Sequence, residues 1–195
     1  MIEKLPQNIS DFIEFRNSQK QIFTAGPASL IKDNLTGLRP CFGRGDNDYD
    51  FIEKSVLEEI KNISGHKNIV RLQGSASLAL EIISLNFLYG RVLIISTGFY
   101  SERLVKFVND AKRLCSEIKE IKIVNIDFLN SITENFDWIV SCYTETSRGF
   151  KISLEELRIK ADDLKSKIML DATASIGLEK NHHLADVIGF SSCKG

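Results

Sequence analysis

Short apolar runs, alternating with stretches of helical spacing, constrain this chain more than any other feature in it. The runs are Ile69–Leu72, Val92–Ile95, Ile121–Ile126, Phe136–Thr144, Ile168–Leu170 and Val187–Phe190. They are short, and most lack polar alternation, as strands buried on both faces do. Helical patterns lie between them. Ile52, Val56, Ile60 and Ile63 recur at helical spacing, with Gly65 placed as a C-terminal cap. Ser75 opens the apolar stretch SASLALEIISLNFL. Gly98 breaks a strand, and Ser101 is set to cap a helix whose inner face is Leu104, Phe107, Val108, Ala111 and Leu114. A polar helix runs from Ser153 to about Lys165. This order predicts an α/β domain: a mostly parallel sheet with right-handed crossovers and flanking helices. Residues 1–45 break the pattern and read as an N-terminal arm. It would hold a short helix, DFIEFRNSQ, capped by Ser10, then turns at Gly26-Pro27 and Arg39-Pro40. The sheet domain is expected at 46–195.

In such sheets ligands bind beyond the carboxyl ends of the strands. The polar clusters of this sequence fall there: Gly74-Ser75-Ala76-Ser77, Gly98-Phe99-Tyr100, Thr144-Glu145-Thr146-Ser147, Asp171, and Ser191 to Lys194. Each has two readings. Gly74–Ser77 is a phosphate cradle at a helix start or an ordinary N-cap. Phe99 or Tyr100 stacks on a flat ring or packs on the sheet edge. Glu145 is an active-site rim or part of a solvated turn. No GxxxxGK[ST] sequence is present, so a nucleoside triphosphate is disfavoured.

Asp171 directly follows Ile-Met-Leu. A carboxylate at the end of a buried strand needs a cation or several donors. Lys194 likewise follows an apolar strand, through Ser-Ser-Cys. A desolvated lysine is a usable nucleophile toward an aldehyde. Carboxylate and amine together suit pyridoxal phosphate (PLP), whose ring nitrogen the first holds protonated and whose aldehyde the second binds. An Asp–Arg pair and a plain surface lysine are the alternatives. The three histidines show no ligand spacing and read as surface residues. No metal site is expected.

Bulk composition narrows the partners. A net charge of -1 gives no electrostatic reason for nucleic acid or an anionic membrane, and no apolar run approaches the roughly 20 residues of a membrane span. Four scattered cysteines without a CxxC pair fit reduced thiols and a cytoplasmic setting.

With these residues assembled, the sequence resembles the class V aminotransferases of the fold-type I PLP enzymes. It is most similar to the branch holding 2-aminoethylphosphonate–pyruvate transaminase and alanine–glyoxylate aminotransferase. The resemblance runs from Phe23 to Gly195. Thr24-Ala25-Gly26-Pro27 looks like the family's entry segment, and Asp46-Asn47-Asp48-Tyr49 like its acidic-aromatic loop. Leu72–Ser77 looks like the phosphate-cradling turn, with Ala76 where glycine is usual. Gly98–Arg103 looks like the stretch that supplies the ring-stacking aromatic. Glu145-Thr146-Ser147 with Gly149 resembles the ETSTG-like stretch, with Arg148 where threonine is usual.

The resemblance implies cofactor contacts from Ser75, Ala76, Ser77, Tyr100, Thr146, Thr173 and Ser192. It makes Asp171 the partner of the ring nitrogen and Lys194 the Schiff-base lysine. Gly26 and Arg44 become substrate candidates. The implied reaction moves an amino group from a small amino donor, 2-aminoethylphosphonate-like or an amino acid, to a keto acid acceptor, in a homodimer. Alanine–glyoxylate exchange or a lyase reaction on the same site is the alternative, as is an inactive remnant. The family continues past the lysine with an antiparallel strand inserted in the sheet and a C-terminal small domain. The chain is therefore expected to be a fragment, truncated after Lys194 and doubtful in activity by itself.

Overall fold

A computed structural model describes residues 11, 45–115 and 117–192 of the 195-residue chain. The expected helix after Ser10, the turns at Gly26-Pro27 and Arg39-Pro40, and the candidates Gly26, Arg44 and Lys194 lie outside the described residues. The chain divides into two units, Met1–Val56 and Leu57–Cys193. In the smaller unit the described stretch is Gly45–Val56, which carries the start of helix α1 (Asn47–Ser64). There Asp46 Oδ1 accepts from the Asp48 N–H at 2.9 Å, so the acidic-aromatic motif is a helix start and not a loop.

The larger unit carries the sheet. After the remainder of α1 come α2 (Ala76–Phe87), β1 (Gly90–Ser96), α3 (Phe99–Leu114), β2 (Ile118–Asn125) and β3 (Trp138–Cys142). A small hairpin of β4 (Thr144–Glu145) and β5 (Phe150–Lys151) follows, then α4 (Leu154–Asp163), β6 (Lys167–Asp171) and β7 (Val187–Gly189). Five strands pair in the order β2-β1-β3-β6-β7, every pair parallel. This is the expected α/β arrangement.

Strand periodicity divides the core in two. Val92, Ile94, Val140 and Met169 face one side, against Leu80 and Ile83 of α2 and Leu104, Phe107, Val108 and Ala111 of α3. Leu93, Ile95, Ile139, Ile168 and Leu170 face the other, against Leu154, Leu157 and Ala161 of α4. Consecutive strand residues point to opposite faces, so a strand covered on both sides must be apolar throughout. All five residues of β3 are buried.

Several details differ from the sequence reading. Ile69–Leu72 forms no strand, and Val70 is 81% exposed. A strand needs a neighbour for its backbone groups; among the described residues β7 is a sheet edge and nothing pairs with this run. The run Phe136–Thr144 is shorter as a strand and turns at Tyr143 into the hairpin. On α3, Leu114 lies outward, as do Ile52, Val56 and Ile63 on α1. Ser101 does not cap α3 from outside. It lies inside the first turn, where its Oγ accepts from the Thr97 and Gly98 N–H groups at 2.8 and 2.9 Å.

The histidines are not all at the surface. His182 is buried, its Nε2 2.9 Å from Ser175 Oγ and its ring edge-on to Tyr143. His66 Nε2 lies 3.0 Å from the Ala185 carbonyl. This bond holds the segment after α1 against the segment before β7. No described helix is long and apolar enough to cross a membrane.

Candidate active site

The parallel sheet brings four strand ends to one edge. Cys142 pairs with Asp171, and Asp171 with Gly189, so these three end in line on the neighbouring strands β3, β6 and β7. The segments that follow β1, β3, β6 and β7 all leave from this edge. They carry Tyr100, Thr146, Asp171 with Thr173, and Ser192.

Asp171 is 7% exposed. Its Oδ1 accepts from the Thr173 N–H at 2.9 Å and from the Thr173 hydroxyl at 2.5 Å. Both bonds land on one oxygen, which leaves Oδ2 for a further donor. Burial pushes the carboxyl above its ordinary range, while the Thr173 bonds and the Arg103 charge pull it down. A protonated ring nitrogen would offset that burial cost. Thr173 is thus in direct contact with Asp171. The neighbouring Cys142 thiol is pushed up strongly by burial and by the charges of Asp171 and Glu145. It stays protonated and is no nucleophile.

At the start of α2, Ser75 is an N-cap: its Oγ accepts from the Leu78 N–H at 3.3 Å. The ordinary reading of this serine is therefore correct. The Ala76 and Ser77 N–H groups of the first turn remain outside the helix ladder, so they are still free of intrahelical partners. Ser77 Oγ accepts from the Arg103 guanidinium.

Arg103 was not singled out by sequence. It lies one turn after Tyr100 on α3, bonds Ser77, and places its guanidinium 6.0 Å from the Tyr100 ring centre and 5.8 Å from that of Phe107. Its charge also acts on Asp171. One cation thereby connects the helix start, the aromatic candidate and the carboxylate. The available signal was the three-residue spacing from Tyr100, which puts both on one face of α3.

Glu145 is neither a rim nor part of a solvated turn, since it is fully buried. Its carboxylate accepts from the backbone N–H groups of Tyr100 and Ser101, both at 3.1 Å to Oε2, and from the Thr97 and Ser147 hydroxyls. Thr146 follows it directly, in the turn of the β4–β5 hairpin. Ser192 is exposed beyond the end of β7.

Comparison with known proteins bears on the fold. No family profile matches the chain. A curated relative from Helicobacter pylori (strain ATCC 700392 / 26695), described as an uncharacterized aminotransferase, is 23% identical over 171 residues, 81% of this chain. The chain spans 45% of the length of that relative. Among solved structures it is similar to pyridoxamine-pyruvate aminotransferase from Mesorhizobium loti, with TM-score 0.72 and 19% identity, covering 86% of this chain and 46% of that one. It is also similar to ureidoglycine-glyoxylate aminotransferase from Bacillus subtilis, with TM-score 0.66, 17% identity and coverage of 80% and 43%. A third is alanine–glyoxylate aminotransferase from Nostoc sp., with TM-score 0.65, 15% identity and coverage of 85% and 49%. These likenesses show a shared fold, the α/β large-domain fold of fold-type I aminotransferases.

Proposed function

We propose that this chain is the cofactor-binding large domain of a PLP-dependent class V aminotransferase, residues 46–195 forming that domain and residues 1–45 its N-terminal arm. The supporting observation is Asp171. A buried carboxylate ends a central strand, keeps one oxygen beyond its own hydrogen bonds, and stands in one network with Arg103, Ser77 and Tyr100.

The residues present suit the cofactor. Asp171 Oδ2 would hold the proton on the ring nitrogen. The Tyr100 ring and Thr173 would cover the two ring faces, with Thr146 at its edge. The Ala76 and Ser77 N–H groups, Ser77 Oγ, Ser75 and Ser192 would hold the phosphate. Bound PLP supplies an electron sink for charge that develops on the substrate carbon. The Lys194 amine would bind the cofactor's aldehyde and, once displaced by substrate, carry the proton at that carbon.

The substrates of the whole protein are a small amino donor and a keto acid acceptor. The donor is 2-aminoethylphosphonate-like or an amino acid, with Arg44 and the Gly26 segment as substrate contacts. A second reading, glyoxylate as acceptor, is favoured by two of the three solved relatives, which are named as glyoxylate aminotransferases. The setting is the cytoplasm and the whole protein a homodimer.

Titration of the chain with PLP, followed by visible absorbance, tests the reading. A saturable new band that is lost in Lys194→Ala is the expected result. A folded chain with no such band would contradict it. Competition of 2-aminoethylphosphonate, alanine, pyruvate and glyoxylate for the band then separates the donors and acceptors.

A further inference from the structure

We propose that Glu145 is a positioning residue that fixes where Tyr100 and Thr146 stand in the cofactor site. The inference rests on the PLP reading and adds to it a residue that would touch neither cofactor nor substrate.

Glu145 is 0% exposed, and no lysine, arginine or histidine pairs with it among the described residues. A buried carboxylate without a cation is costly unless its lone pairs are filled by donors. Here they are. Oε2 accepts from the Tyr100 N–H at 3.1 Å, the Ser101 N–H at 3.1 Å and the Thr97 hydroxyl at 3.4 Å, and Oε1 from the Ser147 hydroxyl. The two N–H groups belong to the first turn of α3, where the helix dipole favours a negative charge.

The neighbours are shaped to this contact. A Cβ on Gly98 would lie 2.8 Å from both Cγ and Cδ of Glu145 and 2.9 Å from Ser147 Oγ. Only glycine lets the hairpin come this close to the strand end. Ser147 Oγ also accepts from the Phe99 N–H at 3.2 Å, and Arg148 donates to the Thr97 carbonyl at 3.3 Å. Residues 97–101 and 145–148 are therefore laced together from both sides, with the Glu145 carboxylate in the centre. This gives Arg148, which departs from the family pattern, a definite contact.

The consequence is geometric. Tyr100 is held through its own backbone N–H, and Thr146 is the residue bonded covalently to Glu145. One carboxylate thus sets the distance between the candidate for the ring face and the candidate for the ring edge. Tyr100 stands in the first turn of α3 and Thr146 in the β4–β5 turn, two elements far apart in sequence, and small displacements of positioning groups weaken a site strongly.

The test is PLP binding by the 195-residue chain, read as the dissociation constant and as the induced circular dichroism of the visible band. Glu145→Gln keeps one oxygen for the two N–H groups and should bind within about threefold of wild type. Glu145→Ala removes every acceptor, and Glu145→Asp withdraws the carboxylate by one methylene. Both should bind about tenfold more weakly or worse, with a changed dichroic band, and rescue by glutamine separates positioning from charge. Should the alanine chain fail to fold, the aspartate chain decides.

Wild-type binding with unchanged affinity and dichroism in the alanine or aspartate chain overturns this inference alone. A wild-type chain that binds no PLP overturns the reading beneath it and this inference with it.

Discussion

Asp171 carries a measurable conflict at the scale of one residue. Burial raises its carboxyl pKa in the folded chain. A raised value means that the stabilising contribution is complete at low pH and is lost as pH rises through the folded value. At neutral pH the ionised carboxylate therefore costs stability when nothing cationic meets Oδ2. Asp171→Asn keeps an oxygen for Thr173 and removes the charge. Without added cofactor it should be more stable than wild type at neutral pH. The gain should vanish in acid. Urea unfolding across the pH range checks this, and the same substitution should abolish PLP binding.

His182 has the opposite sign. Burial, then the charges of His66 and His183, lower its pKa. Its contribution is complete above the ordinary value of 6.5 and is lost as pH falls below it. His182→Gln should flatten the loss of stability in that window, measured by the same unfolding series. The sequence hid this residue because His182-His183 reads as a loop after Lys180-Asn181, and only the turn before β7 buries the first of the two.

Among the elements, the central strands were the easiest to read. Val92–Ile95 and Ile168–Leu170 are apolar at every position, and each is buried on both faces. Ile139→Ala on β3 should cost roughly 2–5 kcal/mol, whereas Ile123→Ala on β2, 52% exposed, should fall within about 0.5 kcal/mol. Thermal or urea unfolding of the two variants tests the contrast. Ile69–Leu72 also reads as a strand and forms none. Propensity describes fitness for a pleated surface, and a strand exists only with a partner. Val70→Lys should accordingly leave stability within about 0.5 kcal/mol of wild type. The helix starts at Ser75 and Ser153 were legible because each hydroxyl caps locally, at 3.3 Å in both cases.

For the whole molecule, the site was legible as an order of clusters and not as contacts. Parallel β-strands put Tyr100, Thr146, Asp171 and Ser192 after strand ends by topology alone, so a one-dimensional pattern sufficed. Arg103 and Glu145 were less legible because their partners are distant in sequence: Ser77 is 26 residues from Arg103, and Tyr100 is 45 from Glu145. Such pairings depend on how α2, α3 and the β4–β5 hairpin pack, which no spacing rule contains. The two compact units, Met1–Val56 and Leu57–Cys193, divide inside α1. Continuous helical periodicity across Val56 conceals that division.

The proposed chemistry depends on a lysine amine reaching the aldehyde of a cofactor whose ring nitrogen meets Asp171. Reduction with borohydride in the presence of PLP, followed by peptide mass mapping, tests this most directly. A single modified peptide carrying the adduct on Lys194, formed in wild type and greatly reduced in Asp171→Asn, is the expected result. Labelling spread over surface lysines, with Lys194 unmodified in a folded chain, would contradict it.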